Sequence, residues 1–121
     1  MTVQLSIAQI ALLVAYAFGM AAGQLLFKTA ALRLGAGTLT ARTFGLATNG
    51  WFLAAIALYA ALSVLWVWVL TFTPLSRAYP FVAIAFALTP LLGAFVFGEP
   101  LTARLIIGVA IVAVGLVVIA G

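Results

Sequence analysis

Charged residues divide the chain into apolar runs. Residues 1–27, 43–76, 78–98 and 105–121 contain no Asp, Glu, Lys or Arg. A helix needs about 20 apolar residues to cross a hydrocarbon core about 30 Å thick, so each run can supply one crossing. The pattern predicts helices over residues 4–27, 51–72, 75–97 and 101–120. A closed β-barrel also satisfies every backbone group in lipid, but it needs roughly ten-residue alternating segments. None is found here, so the expected class is all-α and integral to the membrane, a single four-helix domain over residues 1–121. The first run lacks a basic start and exceeds the roughly 7–15 apolar residues of a signal-peptide core, so it is expected to remain in the mature protein.

The links between runs are short except the first, over residues 33–50, where Leu34-Gly35-Ala36-Gly37-Thr38 breaks the helix. Its second half, residues 40–47, reads as a short amphipathic turn at the interface or as a plain loop. The second link is Thr73-Pro74 and the third is Gly98-Glu99-Pro100, where Pro suits a first helical turn and Glu the positive end of the helix dipole. Neighbouring helices must then run antiparallel. Lys28, Arg33, Arg42 and Arg104 fall on one membrane face and Arg77 on the other. By the positive-inside tendency the face with four bases is cytoplasmic, which puts both termini outside.

Composition sharpens this picture. Of 121 residues, 69% are hydrophobic and six are charged, five of them Lys or Arg. A soluble chain of this length carries roughly 30 charges. With no Cys and no His, thiolate or imidazole metal sites, Ser-His-Asp and Cys-His catalysis and disulfides are excluded. One acid, Glu99, cannot form a carboxylate pair. No enzyme, metal or cofactor is expected. The net charge of +4 is scattered among apolar spans rather than gathered in a patch, which points to anionic lipid and away from nucleic acid.

Helices in lipid associate by close backbone approach, which small residues permit. The first helix carries Ala15, Gly19 and Gly23 at four-residue spacing, and the last carries Gly108 and Gly115 seven apart. Either set could pack within one bundle; together, on a chain with four spans, they predict a dimer, homo or hetero. Pro90 in the middle of the third helix removes a backbone hydrogen bond. Broken helices in transporters mark moving or binding elements, although proline is also tolerated in membrane helices.

Pro-Leu-Ser-Arg-Ala-Tyr-Pro over residues 74–80, Gly-Glu-Pro-Leu-Thr over 98–102 and the glycine-spaced last helix resemble the drug/metabolite transporter superfamily, whose smallest members have four helices. Ala-Gly-Gln-Leu-Leu-Phe-Lys over 22–28 narrows the likeness. It resembles the small flippase subunits that move aminoarabinose-linked phosphoundecaprenol across the bacterial inner membrane. The resemblance implies a small multidrug resistance-like fold, dimeric function, and a polyprenyl-phosphate-linked sugar as cargo. The related drug exporters exchange protons for cations through a carboxylate in the first helix; the corresponding position here is Met20, and no acid lies within any span. An ionisable group inside a span is costly and usually functional, so proton-coupled cation export by that route is not expected.

A greasy anion needs a lateral opening, cationic or hydrogen-bond donors and no fixed acid in its path. Arg77 and Lys28, at opposite faces, are expected to receive and release the head group. Gln24 and Tyr79 are expected to supply neutral hydrogen bonds between them. The alternatives stay open. Lys28 also reads as an interfacial anchor or as an ion-pair partner of Glu99, and Arg77 as a lipid anchor. Tyr79 lines the cavity by resemblance but belongs to the aromatic belt by position. Glu99 reads as a helix-start residue or as a gate through Lys28 or Arg104. Against the flippase reading stand a small-metabolite or multidrug exporter of the same superfamily and a nontransporting assembly subunit of a lipid-modification pathway.

Overall fold

A computed structural model describes residues 6–120. The described chain is helical, in five elements: α1 (Ile7–Arg33), α2 (Leu39–Leu46), α3 (Gly50–Leu70), α4 (Leu75–Phe97) and α5 (Ala103–Ala120). The helices α1, α3 and α4 are each long and apolar enough to cross a bilayer, and α5 is a shorter apolar helix. The protein is thus a multi-pass membrane protein.

Ser6 starts α1 with a reciprocal cap: its hydroxyl accepts from the Gln9 amide at 3.1 Å while its own amide donates to the Gln9 side chain at 2.9 Å. The predicted start at Gln4 lies outside the described residues. The helix runs past the predicted end at Phe27 to Arg33, so Lys28 stands inside it rather than at its terminus. No glycine or proline interrupts residues 28–33, and helix formation stops only where Gly35 takes φ +70°. The second half of the first link is the short helix α2, capped by Thr38 and without a buried residue.

Asn49 ties this link to the bundle. Its side-chain oxygen accepts from the amides of Trp51 and Phe52, and its side-chain nitrogen donates to the carbonyl of Ala30 at 3.0 Å. One residue therefore caps α3 and fastens its start to α1. The helix α4 matches the predicted residues 75–97 and ends at Gly98, whose φ of +66° turns the chain back. The helix α5 begins at Ala103, two residues later than predicted, with the Thr102 hydroxyl accepting from the Leu105 amide at 3.1 Å. Glu99 and Pro100 therefore precede the helix instead of opening it: Thr102 has the side-chain oxygen that an N-cap requires, and it takes that position.

The helix α1 lies between α3 and α4, which barely touch each other, while α5 packs on α4. Two buried clusters hold the three central helices: Leu13, Val69 and Ala78, then Tyr16, Leu62 and Val82. Trp66 stacks on Tyr16 with ring centroids 5.1 Å apart. Gly19 and Gly23, expected at a dimer seam, face α3 of their own chain. A Cβ on Gly19 would meet Leu62 at 3.1 Å, and one on Gly23 would collide with the Tyr59 ring. The glycines let two large side chains approach the α1 backbone.

Candidate functional site

A groove of about 360 Å³ opens where α1, α3 and α4 diverge. Met20 and Gln24 of α1, Tyr59 of α3, and Val82, Phe86 and Thr89 of α4 line it, together with Ala85 and Pro90. Most of its wall is apolar, and its polar groups are neutral. A mostly apolar cleft with a few convergent polar groups is the ordinary form of a ligand site.

Tyr59 organises those polar groups. It sits in the middle of α3, roughly 15 Å from either end at 1.5 Å per residue. Its hydroxyl donates to the carbonyl of Met20 at 3.0 Å and accepts from the side-chain nitrogen of Gln24 at 2.7 Å. Both nitrogen and oxygen of the Gln24 carboxamide are thereby fixed in direction, because the nitrogen is committed to Tyr59. The ring stacks on Phe27 at 5.3 Å and fills the notch left by Gly23. Sequence reasoning did not single out Tyr59. The available signal was its position: a tyrosine far from both ends of a span cannot belong to an interfacial belt and needs an internal hydrogen-bond partner.

Of the residues expected to touch cargo, Met20 and Gln24 line the groove, and Pro90 joins them from α4. Tyr79 does not. It is 56% exposed, with its ring edge against Trp66 at 6.4 Å. Val82 belongs both to the groove and to the buried cluster it forms with Tyr16 and Leu62, on which Trp66 packs, and Tyr79 lies nearer to Arg77 along α4. Arg77 occupies the first turn of α4, so about 30 Å of helix separates it from the end of α4 near Lys28.

Lys28 stands one turn beyond Gln24 on α1 and pairs with Glu99, Nζ to Oε2 at 3.6 Å. Both side chains are close to half exposed. The other carboxylate oxygen rests against Gly93, in the space where a Cβ would stand. Thr89 and Pro90, one turn earlier, belong to the groove, so the ion pair sits at its end. Gly108 and Gly115 behave differently from the glycines of α1: nothing lies within 4 Å of a Cβ built on either.

No protein-family profile and no solved structure matches the chain. Three curated relatives do. The chain is 32% identical over 72 residues, 60% of its length, to the "Probable 4-amino-4-deoxy-L-arabinose-phosphoundecaprenol flippase subunit ArnE" of Enterobacter sp., covering 67% of that protein. It is 40% identical over 83 residues, 67% of its length, to the "Probable 4-amino-4-deoxy-L-arabinose-phosphoundecaprenol flippase subunit ArnF" of Pseudomonas fluorescens, covering 61% of it. An ArnE subunit of Proteus mirabilis is 33% identical over 67 residues, 55% of this chain and 59% of that protein. The matched stretches thus span about three fifths to two thirds of these relatives. The chain belongs to the family of small aminoarabinose-phosphoundecaprenol flippase subunits.

Proposed function

We propose that this protein is a subunit of a membrane flippase that carries a polyprenyl-phosphate-linked sugar across the bacterial inner membrane by alternating access. The observation that carries the reading is the groove itself: an apolar cleft open at the flank of the bundle, with neutral hydrogen-bonding groups inside and a base at its end. The polyprenyl tail stays in lipid while the head group enters the cleft. Lys28 serves the phosphate at one membrane face and Arg77 at the other, Arg through paired N–H donors and Lys as a mobile point charge. Gln24, held by Tyr59, and the wall at Met20 meet the neutral part of the head group. Pro90 lines the same cleft and lacks the N–H that would close the turn to Phe86, so α4 is weakest where it faces cargo.

The cleft is half of an enclosure, and we take the protein to work as a dimer with an identical or similar four-helix subunit, α5 forming the fourth crossing. Two observations support this. The relatives are named as subunits of two kinds, and α5 leaves Gly108 and Gly115 uncovered beside a broad apolar face that includes Ile107, Ile111 and Val118. The four bases on the Lys28 side orient that face toward the cytoplasm and both termini toward the periplasm.

The test is Arg77→Glu at matched membrane abundance, assayed by translocation of a labelled polyprenyl-phosphate sugar in proteoliposomes with any copurifying partner. Translocation is expected to fall more than about tenfold, since reversal replaces attraction by repulsion for an anion. Unchanged translocation overturns the reading. Solute transport without lipid movement supports the metabolite-exporter alternative, and copurification with a glycosyltransferase without any transport supports the assembly subunit.

A further inference from the structure

The single acid of the chain occupies a position that explains little about folding. Glu99 lies outside both α4 and α5, in the turn that follows the left-handed Gly98. Its carboxylate nevertheless reaches back over Gly93 and toward Lys28. The seat is specific, because any side chain at residue 93 would fill it. The bond is loose: 3.6 Å exceeds the length of a charge-assisted hydrogen bond, and both partners remain in contact with solvent or headgroups. Exposed pairs of this kind contribute little to stability. Structure has been built to hold the carboxylate in place, but not to hold it tightly.

We propose that the Lys28–Gly93 seat is an anion-binding site for the phosphate of a lipid-borne head group, and that Glu99 is the internal anion that phosphate displaces. This rests on the flippase reading and deepens it. A carboxylate and a phosphodiester each present one negative charge and paired acceptor oxygens, so an ammonium accepts either. Lys28 follows Gln24 by four residues on α1, and Gly93 follows Thr89 by four on α4, so the seat is stacked one turn beyond the groove on both walls. A head group seated in the groove with its phosphate outward meets Lys28 where Glu99 now lies. The exchange keeps Lys28 paired at every stage, and the carboxylate it releases, already close to half exposed, is left to solvent. Because Glu99 stands in a turn outside both helices, it moves aside without unwinding either.

The experiment titrates the protein, purified in neutral detergent, with a sugar-linked undecaprenyl phosphate, a phosphodiester, and counts bound lipid by native mass spectrometry. Glu99→Gln removes the competing charge, whereas Gly93→Ala leaves every charge in the chain but fills the seat for carboxylate and phosphate alike. Glu99→Gln is expected to raise affinity by about two- to fivefold, the range set by a half-exposed ion pair, and Gly93→Ala to lower it, because the added methyl group occupies the space the phosphate takes. Lys28→Ala is expected to weaken binding, and in that background Glu99→Gln brings no gain, because the competition needs both partners. Wild-type binding with unchanged or weaker binding by Glu99→Gln overturns the exchange alone; that variant leaves packing intact and decides the matter if Gly93→Ala does not fold. Absence of lipid binding by wild type and variants alike overturns the flippase reading together with the exchange. Inorganic phosphate at millimolar concentration is expected to leave bound lipid in place, and displacement by it overturns the lipid source.

Discussion

The paired glycines of α1 and α5, four and seven residues apart, present the same chemistry, yet they meet opposite surroundings. Gly19 and Gly23 receive Leu62 and Tyr59 from α3, while Gly108 and Gly115 face open space. The cause is topological. The helix α1 is flanked on both sides by helices of its own chain, whereas α5 leans on α4 and leaves the rest of its circumference bare. A glycine in a membrane helix permits close approach, and the position of its helix in the bundle decides whether a helix of the same chain makes it.

The largest expected effect breaks this comparison if it fails. Gly23→Val drives a branched side chain into the Tyr59 ring, and overpacking of this kind costs typically about 1–3 kcal/mol. Tyr59 must move, and its bonds to Gln24 and Met20 go with it. We expect a loss of about 3 kcal/mol for Gly23→Val and less than about 0.5 kcal/mol for Gly115→Val, read from unfolding in mixed micelles. Equal losses at the two positions would show that α5 is buried in its own bundle. Gly19→Ala falls between, since the Leu62 methyl group it meets at 3.1 Å is the flexible end of a side chain.

Association sharpens the same contrast. Gly108→Leu with Gly115→Leu fills the bare seam, and the expected result is an approximately tenfold weaker subunit association, about 1.4 kcal/mol, with unfolding unchanged. Cross-linking yield in vesicles as a function of protein-to-lipid ratio provides the measurement. Association that survives both substitutions places the partner on another face.

The fold was legible in the sequence wherever polarity changed abruptly. Runs free of charge located α3, α4 and α5 to within two residues, because cost in lipid is set by composition. Helix ends chosen by hydrogen bonding were less visible. Lys28 breaks an apolar run without breaking a helix, since a long side chain near a span's end keeps its charge at the interface while the backbone continues. Glu99 reads as a helix-start residue from its place beside Pro100, but Thr102 caps α5 and frees Glu99 to turn back. The site divided in the same way. Gln24 and Met20 could be placed from one helix, but Tyr59 joins them through contacts 35 and 39 residues away in sequence, which spacing on one helix does not encode. Tyr79 carried the resemblance and Tyr59 carries the groove.

That pair of tyrosines gives the smallest and most discriminating effect. Tyr59→Phe keeps the ring against Phe27 and Gly23 but removes one donor and one acceptor. Side-chain hydrogen bonds in membrane bundles average about 0.6 kcal/mol, so the two together are worth roughly 1 kcal/mol. Tyr79→Phe removes a hydroxyl from a ring that is mostly exposed, and its expected cost in the same micelle unfolding assay is close to zero. The difference tests more than stability. Without the Tyr59 hydroxyl the Gln24 carboxamide is free to turn, and the groove loses its one fixed polar direction while keeping its volume. Translocation by Tyr59→Phe should therefore discriminate less between sugar-bearing and bare polyprenyl phosphates, by about threefold for one misdirected neutral hydrogen bond. A Tyr59→Phe protein with full stability and full discrimination would mean that Gln24 is held by something other than the hydroxyl it now contacts.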